Sequence, residues 1–381
     1  CKKLSMKPIK MVDLQTQYLN IKTQIDSAIQ QVIDSTAFIN GPEVNDFKQD
    51  LEKYLNVKHV IPCANGTDAL QIALMSLDLK PGDEVITPTF TFISTVEVVA
   101  LLGLKPIFVD VDPDTFNINV DDIKRLITKN TKAIIPVHLF GQCADMEEIM
   151  KIAKENNIYV IEDNAQAIGA EFFFSNGKIS KSGTIGDIGC TSFFPSKNLG
   201  CYGDGGAIFT NSDTLAEKLS YIVNHGMKKR YYHDYIGVNS RLDTLQAAIL
   251  KVKLQYLDDY IAARQKAADY YDKAFASEPK LKIPQRFAKS SHVFHQYTLQ
   301  AIDFSRDELI DFLKEKQIPA MIYYPVPIHL QKAYQHYVNA GENYPISEHL
   351  SKVVFSLPMH TELDEEQLEY ITNSVLEFLN K

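Results

Sequence analysis

Lys197 stands inside "TSFFPSKNLGCYGDGG" (Thr191–Gly206), with hydroxyl and aromatic residues before it and glycines after it. A lysine taken out of water sheds its proton more readily and becomes a nucleophile able to form a Schiff base. Left in water it is an ordinary loop cation. Three other stretches carry complementary chemistry. In "CANGTDAL" a strand-like segment runs into a helix: Gly66 allows close backbone approach, Thr67 adds a hydroxyl, and free N–H groups at the helix start attract phosphate. The same pattern also describes a plain capped helix. "IYVIEDNAQAIGA" ends an apolar run in Glu162 and Asp163, with Gln166 following. A half-buried carboxylate there needs a cation, such as a ligand's ring nitrogen, or the N–H groups of a helix that it caps. "PTFTFISTVEVV" puts Phe90 and Phe92 just after a strand, where an aromatic ring either stacks on a flat ligand or fills the core.

Each feature alone has an ordinary structural explanation. Together they make a set: a phosphate cradle, an aromatic face, a strand-end carboxylate and a lysine 34 residues after it. Pyridoxal 5'-phosphate asks for that set, because its phosphate suits a helix start, its ring a stacking partner, its pyridinium nitrogen a carboxylate and its aldehyde an amine.

The elements that must position these residues are legible as alternation. Between about residues 57 and 210, β-branched runs ("HVIPCA", "EVITP", "KPIFVDVD", "KAIIPVHLF", "IYVIED", "CTSFF", "GAIFTN") are separated by helix-like stretches such as "DALQIALMSLDL" and "MEEIMKIAKENN". That alternation predicts βαβ units and a mainly parallel sheet with helices on both faces, with ligands at the carboxyl ends of the strands. Beyond Ser240, Leu242, Leu245, Ile249, Val252, Tyr256 and Tyr260 recur at spacings of three and four, which predicts one long amphipathic helix from about Ser240 to Phe275. "HVFHQYTLQAI" and "MIYYPVP" read as strands, and "DELIDFLKEKQ" and "DEEQLEYITNSVLEFL" as helices. The expected division is a large α/β domain over 12–248 and a smaller α+β domain over 249–381, with 1–11 packing nearby.

Composition narrows the function. The 381 residues carry a net charge of −9 and no basic block, which argues against a nucleic-acid backbone as partner but leaves room for a small anion at a helix start. No apolar run reaches membrane-spanning length, so no membrane partner is expected. Cys1, Cys63, Cys143, Cys190 and Cys201 are odd in number, scattered and without CxxC spacing, which favours a reducing cytoplasm and no metal site. Met6 is a candidate natural start.

The motifs "INGPEVNDFKQDL", "CANGTDALQIAL", "PGDEVITPTFTF", "VIEDNAQAIGA", "TSFFPSKNLGCYGDGGAIFTN" and "GVNSRLDTLQAAIL" follow one another in order. In this the chain resembles the DegT-type, pyridoxal-phosphate-dependent sugar-nucleotide aminotransferases of fold type I, from "VDLQTQY" to "FSLPMHTELDEEQ". The resemblance implies that Lys197 is the Schiff-base lysine and Asp163 the partner of the ring nitrogen. It implies that Gln166 packs near the ring, that Phe92 rather than Phe90 stacks on it, and that Gly66, Thr67 and Ser192 hold the phosphate. By the same resemblance Asn239 reaches the phosphate of a neighbouring subunit, making the unit a homodimer, and Arg241 lies in the substrate pocket with Tyr323 and Tyr324. The branch it most resembles acts on UDP-2-acetamido-2-deoxy-3-oxo-glucuronate for surface polysaccharide, with L-glutamate the expected donor. That branch has "HYP" where this chain has Tyr323-Tyr324-Pro325, and many relatives carry Ala at Asn164. Three other activities fit less well. A sugar 3-dehydratase of this fold would carry His at Lys197, a non-catalytic regulator would have lost Lys197 or Asp163, and a nucleotide oxidoreductase would need GxGxxG after its first strand.

Overall fold

The computed structural model describes residues 7–338 and 340–381. Cys1 and Met6 lie outside the described residues. The centre is a seven-stranded sheet in the order β1 (His59–Cys63), β9 (Gly206–Thr210), β8 (Ile188–Ser192), β5 (Tyr159–Asp163), β4 (Thr131–Ile134), β2 (Glu84–Pro88) and β3 (Lys105–Val109). Only β9 runs against the rest, pairing antiparallel with β1 and β8. All of β2 and β9 is buried, as expected of strands covered on both faces. A short hairpin, β6 (Glu171–Phe173) and β7 (Ile179–Lys181), precedes β8.

One face of the sheet packs against α3 (Pro42–Leu55), α6 (Val120–Leu126) and α7 (Met146–Asn156), through Phe47, Leu51, Ile123, Ile149 and Ile152. The other packs against α4 (Gly66–Ser76), α5 (Ser94–Leu101) and α8 (Asp213–Ile222), through Leu70, Ile72, Val98 and Leu219. Caps place the helix starts: Asn65 accepts from the Asp68 N–H, Asp145 from Glu148 and Ser212 from Leu215. Such caps contribute about 1 kcal/mol each and fix where the chain turns.

The predicted long helix is two. After α1 (Leu14–Asn20) and α2 (Lys22–Ser35), the chain later forms α9 (Thr244–Leu254) and α10 (Leu257–Phe275), broken at Gln255–Tyr256. The apolar spacing of three and four runs straight through the break, so periodicity could not reveal it. Both faces of α9 are occupied: Ala247, Leu250 and Leu254 face the large core, while Ile249, Val252 and Tyr256 pack with Ile21 and Ile25 of the N-terminal helices. The break redirects α10, which continues from Leu257 and Ile261 in the large core to Ala268, Tyr271 and Phe275 in a second one.

That second core surrounds a three-stranded antiparallel sheet, β12 (Leu281–Lys282), β13 (Tyr297–Ala301) and β14 (Val354–Leu357), covered by α11 (Arg306–Glu315) and α13 (Glu365–Leu379). Ile9 belongs to it, and Gln367 donates to the Lys7 and Pro8 carbonyls. α12 (Pro345–Val353) leads into β14. Two strand expectations are corrected. Within "HVFHQYTLQAI" the strand begins only at Tyr297, because residues 292–296 run irregularly against residues 140–142. "MIYYPVP" pairs only through Met321, with Ser356, among the described residues, and then leaves the sheet, so that Tyr324 packs against Phe90 and Phe92. A small hairpin, β10 (Met227–Lys229) and β11 (Tyr232–His233), projects from the large sheet's side.

Candidate active site

β1, β2, β5 and β8 are parallel to one another, so Cys63, Pro88, Asp163 and Ser192 end at one edge of the sheet. The candidate site forms on that edge. Asp163 is buried there, its Oδ2 accepting from the Thr95 hydroxyl at 2.8 Å and its Oδ1 from the Ala165 N–H at 3.2 Å. Burial pushes its pKa up, and these two donors, Lys197 and His138 pull it back. A carboxylate so held has room for a further cationic partner.

Lys197 lies in the loop between β8 and β9, its N–H bonded to the Phe194 carbonyl at 2.8 Å. The side chain is half-buried, and among the described residues nothing accepts a hydrogen bond from its amine. Burial lowers its pKa to about 8, against the opposing pull of Asp163. The protein therefore leaves this amine unpaired and eases the loss of its proton.

Around these two groups the structure gathers most of the predicted set. Gly66 opens α4 beside the end of β8, where a Cβ would meet the Cβ of Ser192 at 2.7 Å. Only glycine admits that approach. The Thr67 hydroxyl sits 2.7 Å from the hydroxyl of Ser94, the first residue of α5, so two helix starts converge. Phe90 and Phe92 separate cleanly. Phe90 is 1% exposed and packed on Phe116, whereas Phe92 is 55% exposed, its ring facing the cleft beside Tyr324. Gln166 accepts from the Phe140 N–H at 2.7 Å and donates to the Tyr324 hydroxyl at 3.0 Å. Tyr324 thereby joins the site from the segment after α11, packed edge-on against Phe90, with Tyr323 next to it. The Tyr323 hydroxyl is shifted up by burial and engaged by Gln296.

Two predicted residues are not brought to this cluster within one chain. Asn239 is exposed and pairs with Asn224 at the base of the projecting hairpin. Arg241 donates to Asn224 Oδ1 at 3.0 Å and lines a cavity of about 270 Å³ with Asn40, Val60 and Pro62, beside the β1 edge.

Glu162, next to Asp163, faces away. Its carboxylate accepts from the Gly183, Ile185 and Gly186 N–H groups at 2.6–2.8 Å and lies 2.8 Å from His138 Nε2. His138 Nδ1 accepts from the Ala144 N–H, so Nε2 carries the hydrogen donated to Glu162. Sequence reading missed Ser94 and Thr95. Their signal was present, since "FIST" repeats the strand-end, hydroxyl, helix-start arrangement of "NGT".

A sheet of this order, with a lysine loop after β8 and a carboxylate ending β5, is the architecture of fold-type-I transferases. The chain belongs to the DegT/DnrJ/EryC1/StrS aminotransferase family, whose sequence profile matches residues 19–376. It is 47% identical over 372 residues to a "Pleiotropic regulatory protein" of Geobacillus stearothermophilus, covering 97% of this chain and 98% of that one. It is 45% identical over 363 residues to UDP-2-acetamido-2-deoxy-3-oxo-D-glucuronate aminotransferase of Pseudomonas aeruginosa, covering 95% and 98%. Among solved structures, a DegT/DnrJ/EryC1/StrS aminotransferase from Brucella abortus superimposes with a TM-score of 0.93 at 42% identity, covering 98% of this chain and all of that one. NtdA from Bacillus subtilis, solved with bound cofactor PMP, does so at 0.90 and 30%, covering all of this chain and 87% of that one.

Proposed function

We propose that this protein transfers an amino group from L-glutamate to a ketone on a nucleotide-linked sugar, using pyridoxal 5'-phosphate. The substrate is UDP-2-acetamido-2-deoxy-3-oxo-glucuronate, made in the cytoplasm for surface polysaccharide. The observation that carries the reaction class is the pairing of an unbonded, half-buried Lys197 with buried Asp163 at the converging starts of α4 and α5. The family supports it, and the Pseudomonas relative supports the substrate.

The residues fit the cofactor. The space kept open by Gly66 beside Ser192, with the α4 N–H groups and Thr67, suits a phosphate. The exposed Phe92 ring offers a stacking face, and Asp163 still has room for a cation. When bound, the cofactor supplies an electron sink for a carbanion. Asp163 would keep the cofactor's ring nitrogen protonated, and Gln166, bonded to the Tyr324 hydroxyl, would hold Tyr324 in place beside the site. Lys197 Nζ takes the proton from the donor's α-carbon and, in the second half-reaction, returns one to the sugar carbon that receives the amine. An amine near pKa 8 can serve in both directions. Asn239 serves the phosphate of a second copy of the chain, in a homodimer, and Arg241 the substrate pocket. The Geobacillus relative is named for regulation, yet a regulator has no use for a desolvated lysine opposite a buried aspartate, and both are assembled here.

Purified protein is incubated with cofactor, glutamate and a panel of nucleotide keto-sugars, and products are read by mass. An aminated UDP-sugar uronate together with 2-oxoglutarate is the expected result. No amination of any keto-sugar would refute the proposal.

A further inference from the structure

The segment that carries Lys197 is gripped from behind by one face of α9. Gln246 and Lys253 are seven residues apart, two helical turns, and so share that face. Gln246 closes on Tyr202 from both sides: its Oε1 accepts from the Tyr202 N–H at 2.8 Å and its Nε2 donates to the Tyr202 carbonyl at 3.3 Å. Lys253 Nζ donates to the Gly200 carbonyl at 2.6 Å and sits 5.4 Å from the centre of the Tyr202 ring. The backbone here has no slack. A Cβ at Gly200 would lie 2.4 Å from the Pro195 carbonyl oxygen, and one at Gly203 would lie 3.0 Å from Gln246 Nε2. α9 is itself anchored, since Thr244 accepts from the Gly41 N–H and donates its own N–H to the Phe38 carbonyl.

Lys253 is the unusual member. It is 1% exposed, and no carboxylate is paired with it among the described residues. Burial lowers its pKa to about 8, with Arg264 adding to the effect. For the fold alone this is a poor choice, because a methionine would fill the same volume without burying a charge. What the ammonium supplies that methionine cannot is a short, charge-assisted bond to the Gly200 carbonyl, three residues after Lys197.

We propose that Lys253, assisted by Gln246, is a positioning residue for Lys197: it holds the 197–203 loop so that the Lys197 amine stays at its working distance from Asp163. This rests on the reading of Lys197 as the base. Acting on geometry rather than binding, the pair affects turnover more than substrate affinity.

The test uses holoenzyme in single turnovers of the L-glutamate half-reaction, with kcat taken as the saturating rate of 2-oxoglutarate formation per site and KM as the half-saturating glutamate concentration, for wild type, K253M, K253R and Q246L, with K197A alongside. K253M is expected to lose roughly 10- to 100-fold in kcat, with KM for glutamate within about twofold and Tm no lower than wild type. K253R, which restores a cationic donor, is expected to regain part of the rate, and Q246L to shift kcat the same way. K253M at a kcat within about twofold of wild type overturns the proposal. So does a fall in kcat matched by a fall in Tm, the mark of a residue that only stabilises. If K197A stays active, the reading of Lys197 itself fails. If K197A is dead while K253M is unimpaired, only this inference fails.

Discussion

Glu162 and Asp163 are neighbours in the chain and occupy opposite environments. Glu162 is completely buried and its oxygens receive three backbone N–H groups and His138, whereas Asp163 receives Thr95 and Ala165 and faces the cleft. Alternation along β5 produces this, since successive side chains point to opposite faces. Two substitutions separate the roles. Asp163→Ala is expected to lose amine transfer by 100-fold or more, roughly 3 kcal/mol of barrier, with a native circular dichroism spectrum and only modest loss of cofactor. Glu162→Gln places an amide against N–H groups that need acceptors, so a loss of about 2–4 kcal/mol in urea-denaturation stability is expected. A stable Glu162→Gln variant with no activity would reverse the assignment. Lys197→Ala is expected to lower the rate of 2-oxoglutarate formation by at least about 1,000-fold, and an active variant would remove Lys197 from the mechanism.

At the scale of elements, the site depends on how closely α4, α5 and β8 approach. Gly66 is the contact point, because a Cβ there would overlap Ser192 at backbone range. Gly66→Ala must push the start of α4 and the end of β8 apart, removing N–H groups and the Ser192 hydroxyl from one centre. Cofactor affinity, measured by titrating the apo-protein, is expected to fall tenfold or more, about 1.4 kcal/mol. An unchanged affinity would show that the phosphate sits elsewhere. α9 and α10 make the complementary point. Their apolar residues keep helical spacing through the break at Gln255–Tyr256, but only the two cores on either side give the break a reason.

The whole molecule sets the pH range and the subunit arrangement. Burial holds His292 to about 3 and His360 to about 4, against 6.5 in the unfolded chain. The fold keeps both neutral, so their contribution is intact above pH 6.5 and is lost as pH falls from there toward 4, at about 1.4 kcal/mol per unit per group. Lys253 works on the alkaline side. Its buried charge costs stability below pH 8, where folded and unfolded states are both protonated, and that cost is relieved between 8 and 10.5. Urea midpoints at pH 5.0, 7.5 and 9.5 should show a marked drop at 5.0, and K253M should lose the alkaline gain attributable to this lysine. A midpoint unchanged from 7.5 to 5.0 would mean the histidines are not buried neutral. For the proposed dimer, Lys197→Ala and Asn239→Ala variants are prepared separately, then unfolded and refolded together. If Asn239 serves a neighbour's site, random pairing restores about a quarter of wild-type activity; if it serves its own, nothing returns.

The sequence by itself determined the alternating strands and helices, and the types of residue that follow or end strands: Gly66 and Thr67 opening a helix after β1, Asp163 ending β5 and Lys197 in the loop after β8. These are local signals, carried by periodicity and by glycines and hydroxyls at helix starts. It also proposed Phe92 over Phe90 through family likeness, while the burial of Phe90 and the exposure of Phe92 follow from packing. What it could not determine depends on long-range packing. The β9 reversal, the break between α9 and α10, the Glu162–His138 pair, Thr95 under Asp163 and the grip of Lys253 on Gly200 all join segments far apart in the chain. No local pattern encodes those partners, because each is selected by the shape and unmet hydrogen bonds of the surface it meets on folding.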